Sequence, residues 1–147
     1  MRHDELPLDP DAVTPRPIHL VPLHVLMVFI GGGIGTFTRY AGGALFPHAG
    51  DAWPVATFVI NIAGALILGV LLEGLSQSRS ATGTRLRLLV GTGFCGGLTT
   101  YSTFAVEMDL LVRAGSPWLA VAYGVASLIG GIVAAYVGIA IATRVRA

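Results

Sequence analysis

Lysine is absent from this 147-residue chain: all nine basic side chains are arginine, set against eight acidic ones. A net charge of +1 gives no sign of a polyanion-binding surface, and no nucleic-acid partner is expected. The single cysteine, Cys95, excludes an internal disulfide and leaves the redox compartment unread. Among small apolar neighbours it reads as a packing residue. No histidine falls within an apolar run, since His24 and His48 lie at boundaries, and no Ser–His pair or metal-ligand cluster is apparent. An enzyme is therefore not the expected reading. Apolar sequence and glycine are abundant instead. Hydrophobic residues make up 54% of the chain and the mean hydropathy is +0.75. A small soluble core cannot hide that much apolar sequence, which points to an integral membrane protein. The 20 glycines are about twice the ~7% usual in soluble proteins.

Residues 1–21 differ from the rest. They hold Asp4, Glu5, Asp9 and Asp11 among prolines, a composition that disfavours packing and reads as a flexible tail. A signal peptide is not expected there, because the apolar run starts only near Leu23 and is long enough to span. A bilayer core needs about 20 apolar residues as helix. Four stretches qualify: Leu23–Leu45, Pro54–Leu75, Leu86–Ala114 and Pro117–Thr143. They define a four-span membrane domain over 22–143, with a short basic end at 144–147. The loops expected between the spans are Phe46–Trp53, Ser76–Arg85 and Gly115–Ser116. Trp53 and Trp118 sit where interfacial aromatic anchors occur. Small residues recur four apart at Gly31 and Gly35, Ala65 and Gly69, Gly93 and Gly97, and Gly130 and Ala134. Such faces let helix backbones approach closely in lipid. Four short spans make a thin wall for a pore, so an oligomer is expected.

The third stretch contains Gly91-Thr92-Gly93-Phe94-Cys95-Gly96-Gly97-Leu98-Thr99-Thr100-Tyr101-Ser102-Thr103-Phe104. Glycine is a poor helix former and hydroxyls compete for backbone partners. The spacing predicts a broken helix, and hydrocarbon tolerates one only where it faces protein, water or an ion. Broken helices are how membrane proteins bind small ions near mid-bilayer. Ion permeation is the functional reading.

Other polar residues inside the spans belong to the same argument. Asn61 lies in the middle third of the second span, and burying its amide unpaired costs roughly 2–7 kcal/mol. It needs a partner: another helix, water or a ligand. Tyr123 and Ser127 lie four apart on one face of the fourth span, as a polar stripe or back-bonded to their own helix. Arg39 is close enough to a membrane end to snorkel. Glu107, Asp109 and Glu73 sit towards the ends of their spans. The candidate lining groups are neutral amides, hydroxyls and ring edges, which suit an anion without trapping it. The carbonyls of an unwound glycine-rich segment favour a cation. On the residues alone, the sign of the permeant ion stays open.

Gly32-Gly33-Ile34-Gly35 with Arg39-Tyr40, Thr57-Phe58-Val59-Ile60-Asn61-Ile62-Ala63-Gly64, and the run Gly93–Phe104 with Glu107 together resemble the Fluc family of fluoride channels. The likeness covers roughly Leu23 to Thr143. It implies an all-α membrane protein of four transmembrane helices, the third broken, assembled as an antiparallel dimer with two pores. Such a channel would let cytoplasmic fluoride leave the cell across the inner (plasma) membrane, among membrane lipid. The resemblance also implies a structural sodium ion at the dimer centre, held by the backbone carbonyls of Gly96 and Thr99 from each copy. It places ring edges of Tyr101 and Phe104, the Asn61 amide and the vestibule Arg39 along the pore. Ser102, Thr103 and Glu107 are expected to be structural or next to the pore. Tyr123 and Ser127 match the start of a hydroxyl track.

Three features depart from the family pattern. Tyr101 stands where phenylalanine is usual, and Gly131 lacks the next hydroxyl of the track. The arginines are also lopsided. Arg2, Arg16, Arg79, Arg85, Arg87, Arg144 and Arg146 share one side, against Arg39 and Arg113 on the other. That bias predicts cytoplasmic termini. It sets an oppositely oriented relative against the favoured antiparallel homodimer as partner. The rival function is a small four-span proton-coupled exporter of toxic compounds. That would need an embedded carboxylate, and only Glu107, late in the third span, is near such a position.

Overall fold

The computed structural model describes residues 21–48 and 50–146, and the tail expected over 1–21 lies outside the described residues except for Val21. Every regular element among the described residues is a helix, with no strand among them. In chain order the elements are α1 (Pro22–Leu45), α2 (Val55–Gly74), α3 (Ala81–Leu86), a π-helical stretch (Arg87–Cys95), α4 (Gly96–Leu98), α5 (Ser102–Arg113) and α6 (Pro117–Arg146). α3 runs directly through the π-helical stretch into α4, so the chain makes four helical passages, one of them divided.

Proline sets three of the starts. Pro22 and Pro117 open α1 and α6, where a missing N–H costs nothing. Pro54 immediately precedes α2 and its carbonyl accepts the Phe58 N–H at 3.1 Å. α2 and α6 are both long and apolar enough to cross a bilayer.

Two boundaries differ from the sequence expectation. The loop placed over Ser76–Arg85 is shorter, because Ser80 Oγ accepts the Gly83 N–H at 3.0 Å and starts a helix at Ala81. Arg87 then reaches back and donates to the Leu75 and Ser78 carbonyls, tying that loop to the helix it precedes. At the other end, α6 continues past Thr143 to Arg146, which donates to the Glu73 carbonyl, to Glu73 Oε1 at 3.2 Å and to Ser76 Oγ at 2.9 Å.

The helices pack as two bodies. In the first, α1 lies against the π-helical stretch and α4; in the second, α2 lies along α6, with α5 also on α6. The first contact is made backbone to backbone through the small-residue faces. A Cβ added at Gly31 would meet the Leu89 carbonyl, and one at Gly35 the Phe94 carbonyl. One at Gly93 would come within 2.9 Å of the Val28 carbonyl oxygen, and one at Gly97 would meet the Gly32 carbonyl. Gly69 and Gly138 serve the same purpose between α2 and α6, facing the Ala135 and Leu66 carbonyls. Leu111, Ala120 and Tyr123 form the buried core of the second body, with Trp53, Phe58, Phe104, Met108 and Leu119 packed around them. Trp53, placed at an interface by the sequence, packs inwards. Its ring meets Phe58 and Tyr123 edge-on, each at 5.5 Å. Trp118 is exposed.

Candidate functional site: a groove at the helix interruption

The divided passage changes bodies at its interruption. α4 ends at Leu98, Thr99 is extended (φ −76°, ψ 154°), and α5 begins at Ser102. Wide turns over Arg87–Cys95 lead into that point; such turns are rare in helices and often mark functional sites. Thr100 is buried outside any helix, so its peptide needs partners. Asn61 on α2 supplies both. Its Nδ2 donates to the Thr100 carbonyl at 3.1 Å, and its Oδ1 accepts the Thr100 N–H at 2.9 Å. The side-chain amide thus stands in for a peptide group. A primary amide has two N–H donors, so one Nδ2 hydrogen remains after this pairing.

The Thr100 hydroxyl organises the restart. Its Oγ1 accepts the Thr103 N–H at 3.2 Å, lies 3.1 Å from Thr103 Oγ1 and lies 3.3 Å from Ser102 Oγ. These bonds divert two backbone donors. In an unbroken helix the Thr100 N–H would bond the Gly96 carbonyl and the Thr103 N–H the Thr99 carbonyl. Here they go to Asn61 and to Thr100 Oγ1. The carbonyls of Gly96 and Thr99 are thereby released from helical bonding, on a passage where Gly96 is exposed and Thr99 half-buried.

A groove of about 790 Å³ opens along this interruption. Asn61, Gly96, Thr99, Thr100, Tyr101, Phe104 and Ser127 all line it, and no charged side chain does. Ser127 Oγ is shielded from solvent and has no hydrogen-bond partner among the described residues, so it neither back-bonds nor pairs across helices. The rings of Tyr101 and Phe104 lie 6.1 Å apart, tilted by 38°. Phe104 also packs on Tyr123 at 5.0 Å, whereas Tyr101 is 81% exposed. Beside Ser127 on α6, a Cβ at Gly131 would meet nothing within 4 Å.

The remaining candidates gather elsewhere. A second cavity of about 600 Å³ is lined by Arg39, Thr57, Thr103 and Glu107 among others, and Thr100 lines both spaces. Arg39 is half-buried there. Glu107 is buried, and both its oxygens are occupied. Thr57 Oγ1 donates to Oε1 at 2.6 Å, and Tyr123 OH donates to Oε2 at 2.8 Å. Tyr123 therefore turns away from Ser127 towards the carboxylate, and the two hydroxyls four apart do not share a partner. Ser102 is exposed beside the interruption.

Sequence reasoning did not single out Thr57, Thr100 or His48. Thr57 is four residues before Asn61 and shares its helix face, a spacing that could have flagged it. Thr100 was visible only as one of five hydroxyls in a row.

A family model described as CrcB-like protein, Camphor Resistance (CrcB), matches residues 26–139. A Rhodococcus jostii (strain RHA1) protein named Fluoride-specific ion channel FluC 2 is 49% identical over 114 residues, covering 78% of this chain and 94% of the relative. A Chlorobium luteolum (strain DSM 273 / BCRC 81028 / 2530) protein named Fluoride-specific ion channel FluC is 42% identical over 118 residues, covering 80% and 91%. A Leifsonia xyli subsp. xyli (strain CTCB07) protein named Fluoride-specific ion channel FluC 2 is 40% identical over 131 residues, covering 88% and 90%.

Proposed function

We propose that this chain, which belongs to the CrcB-like family, is a fluoride-selective channel that lets cytoplasmic fluoride leave down its electrochemical gradient. Its relatives carry the name of fluoride-specific channels, and the observation that carries the reading to these residues is the uncharged groove at the interruption. A small anion that sheds water needs donors in its place, yet a fixed cation would hold it too firmly to conduct. The second Asn61 N–H, the unpartnered Ser127 hydroxyl and the Tyr101 and Phe104 rings meet both demands. A ring edge is electropositive without carrying formal charge. Arg39, in the neighbouring cavity, supplies the attraction that brings anions to the entrance. Glu107, bound by Thr57 and Tyr123, fixes α5 against α2 and α6 rather than facing the anion.

The groove is open along one side in a single chain, and Tyr101 has little cover there. An antiparallel homodimer with two pores would close it, with the third passage broken at mid-membrane depth in each copy and the protein in the inner (plasma) membrane. An oppositely oriented relative is the competing partner. The released carbonyls of Gly96 and Thr99 fit the donor chemistry of sodium, a hard cation that takes oxygen ligands. When bound, the ion would tie these main-chain oxygens together at the interruption. The two residues would hold it through main-chain oxygen alone.

Efflux from liposomes containing only this chain tests the proposal. Fluoride should leave rapidly and chloride should not, with a rate unaffected by collapsing the proton gradient. A fluoride flux that requires a proton gradient would instead favour a proton-coupled exporter. Equal fluoride and chloride flux would overturn selectivity. Accessibility labelling of the termini in cells decides the partner: labels on both faces support self-pairing, and labels on one face only overturn it.

A further inference from the structure

We propose that His48 is an anion-docking residue at the Arg39 side of the channel, where it takes a small, partly dehydrated anion from water and passes it towards Thr103 and Thr100. His48 lies in the loop between α1 and α2, outside every motif that carries the family resemblance. Its ring turns inwards. Both Nδ1 and Nε2 are shielded from solvent, and neither has a hydrogen-bond partner among the described residues. Two polar atoms in that state are uncommon in a folded protein, where buried polar groups are met by protein, water or ligand. The ring lines the cavity of about 600 Å³ shared with Arg39, Thr57, Thr100, Thr103 and Glu107.

The surroundings select the sign of the ligand. From α1, Arg39 and Tyr40 line the cavity; from α2, Thr57 does, with no charged residue. From α5 it receives Thr103 and Glu107, and both Glu107 oxygens already accept from Thr57 and Tyr123. Arg39 is the only guanidinium among the cavity's lining residues. Glu107 keeps its charge with each oxygen already accepting a donor, and the preference for an anion rests on the unmet imidazole N–H sharing a cavity with Arg39. A neutral imidazole contributes one N–H donor, and a protonated one contributes two. An anion of halide size in this cavity would accept from the imidazole N–H and exchange part of its hydration for that donor and those of Arg39. Thr100 lines both this cavity and the groove, so the docked ion lies one step from the interruption.

This inference rests on the channel reading, and the experiment separates the two. Initial fluoride efflux is measured against fluoride concentration for wild type, His48→Ala and His48→Gln in liposomes. Leakage of protein-free liposomes is subtracted, and gel filtration verifies the fold of each variant. The expected result for His48→Ala is a half-saturating concentration raised at least about threefold, with the maximal rate little changed. His48→Gln, which keeps an N–H donor, should recover most of that loss. A His48→Ala curve that overlays wild type overturns the docking role while leaving the channel intact. Equal loss in the Ala and Gln variants overturns it too. Absence of fluoride flux from wild type itself would overturn the channel reading and this inference with it.

Discussion

Replacing Asn61 with aspartate exchanges an amino group for an oxygen and acts on both partners of the amide. The Thr100 N–H keeps its acceptor, the Oδ1 now 2.9 Å away. The second oxygen, however, takes the place of Nδ2, 3.1 Å from the Thr100 carbonyl oxygen, so a donor–acceptor contact becomes a repulsive one. Leaving that carbonyl unmet costs about 1–3 kcal/mol, which weakens the interruption without unfolding a bilayer-embedded bundle. The effect on the ion is larger. Two unit negative charges about 4 Å apart repel by roughly 4 kcal/mol at an effective dielectric constant of about 20. That lowers anion occupancy by about three powers of ten. Fluoride efflux from liposomes, followed with a fluoride electrode and normalised to folded protein, should therefore fall to the leak. The oligomer seen by gel filtration should be unchanged. Folded Asn61→Asp protein with wild-type efflux would remove the amide from the ion path and leave it only the task of holding Thr100.

Phe104→Ile should reduce efflux sharply in folded protein, because isoleucine keeps bulk but has no electropositive edge, while Tyr101→Phe should conduct substantially; normal conduction by Phe104→Ile would assign the ring to packing. Tyr123→Phe and Thr57→Val each strip one donor from buried Glu107 and should each lower unfolding stability in detergent by about 1–3 kcal/mol. Their double variant should lose less, or more, than the sum, because both act on one carboxylate; strict additivity would contradict a shared site. Gly31→Ala drives a methyl into the Leu89 carbonyl and should destabilise by about 1–3 kcal/mol. Gly33→Ala meets nothing within 4 Å and gains helix propensity, so it should not destabilise, and equal losses would refute the backbone-contact account.

The four passages were legible because hydropathy, proline starts and short loops all act locally. The small-residue pairs were legible too: Gly31 and Gly35 meet the π-helical stretch that carries Gly93, and Gly97 meets Gly32, as close backbone approach requires. The interruption could be placed within a glycine- and hydroxyl-rich run but not at Thr99–Tyr101. Its position depends on Asn61, thirty-nine residues away in sequence, taking over the Thr100 peptide. Long-range pairing also hid the destination of the Tyr123 hydroxyl. Four-residue spacing put it beside Ser127, but Glu107 offered a stronger partner. Trp53 went inwards for a similar reason, since Phe58 and Tyr123 present it with two ring faces that no local pattern reveals. His48 had no signal at all, because an isolated histidine in a loop gives no indication of where its ring turns.

The passage that crosses from the first helical body to the second does so through one extended residue and one fastened peptide. Thr100 is held from two sides, its peptide by Asn61 on α2 and its hydroxyl by Thr103 on α5, so a shift of α2 against α5 loads three hydrogen bonds at one residue.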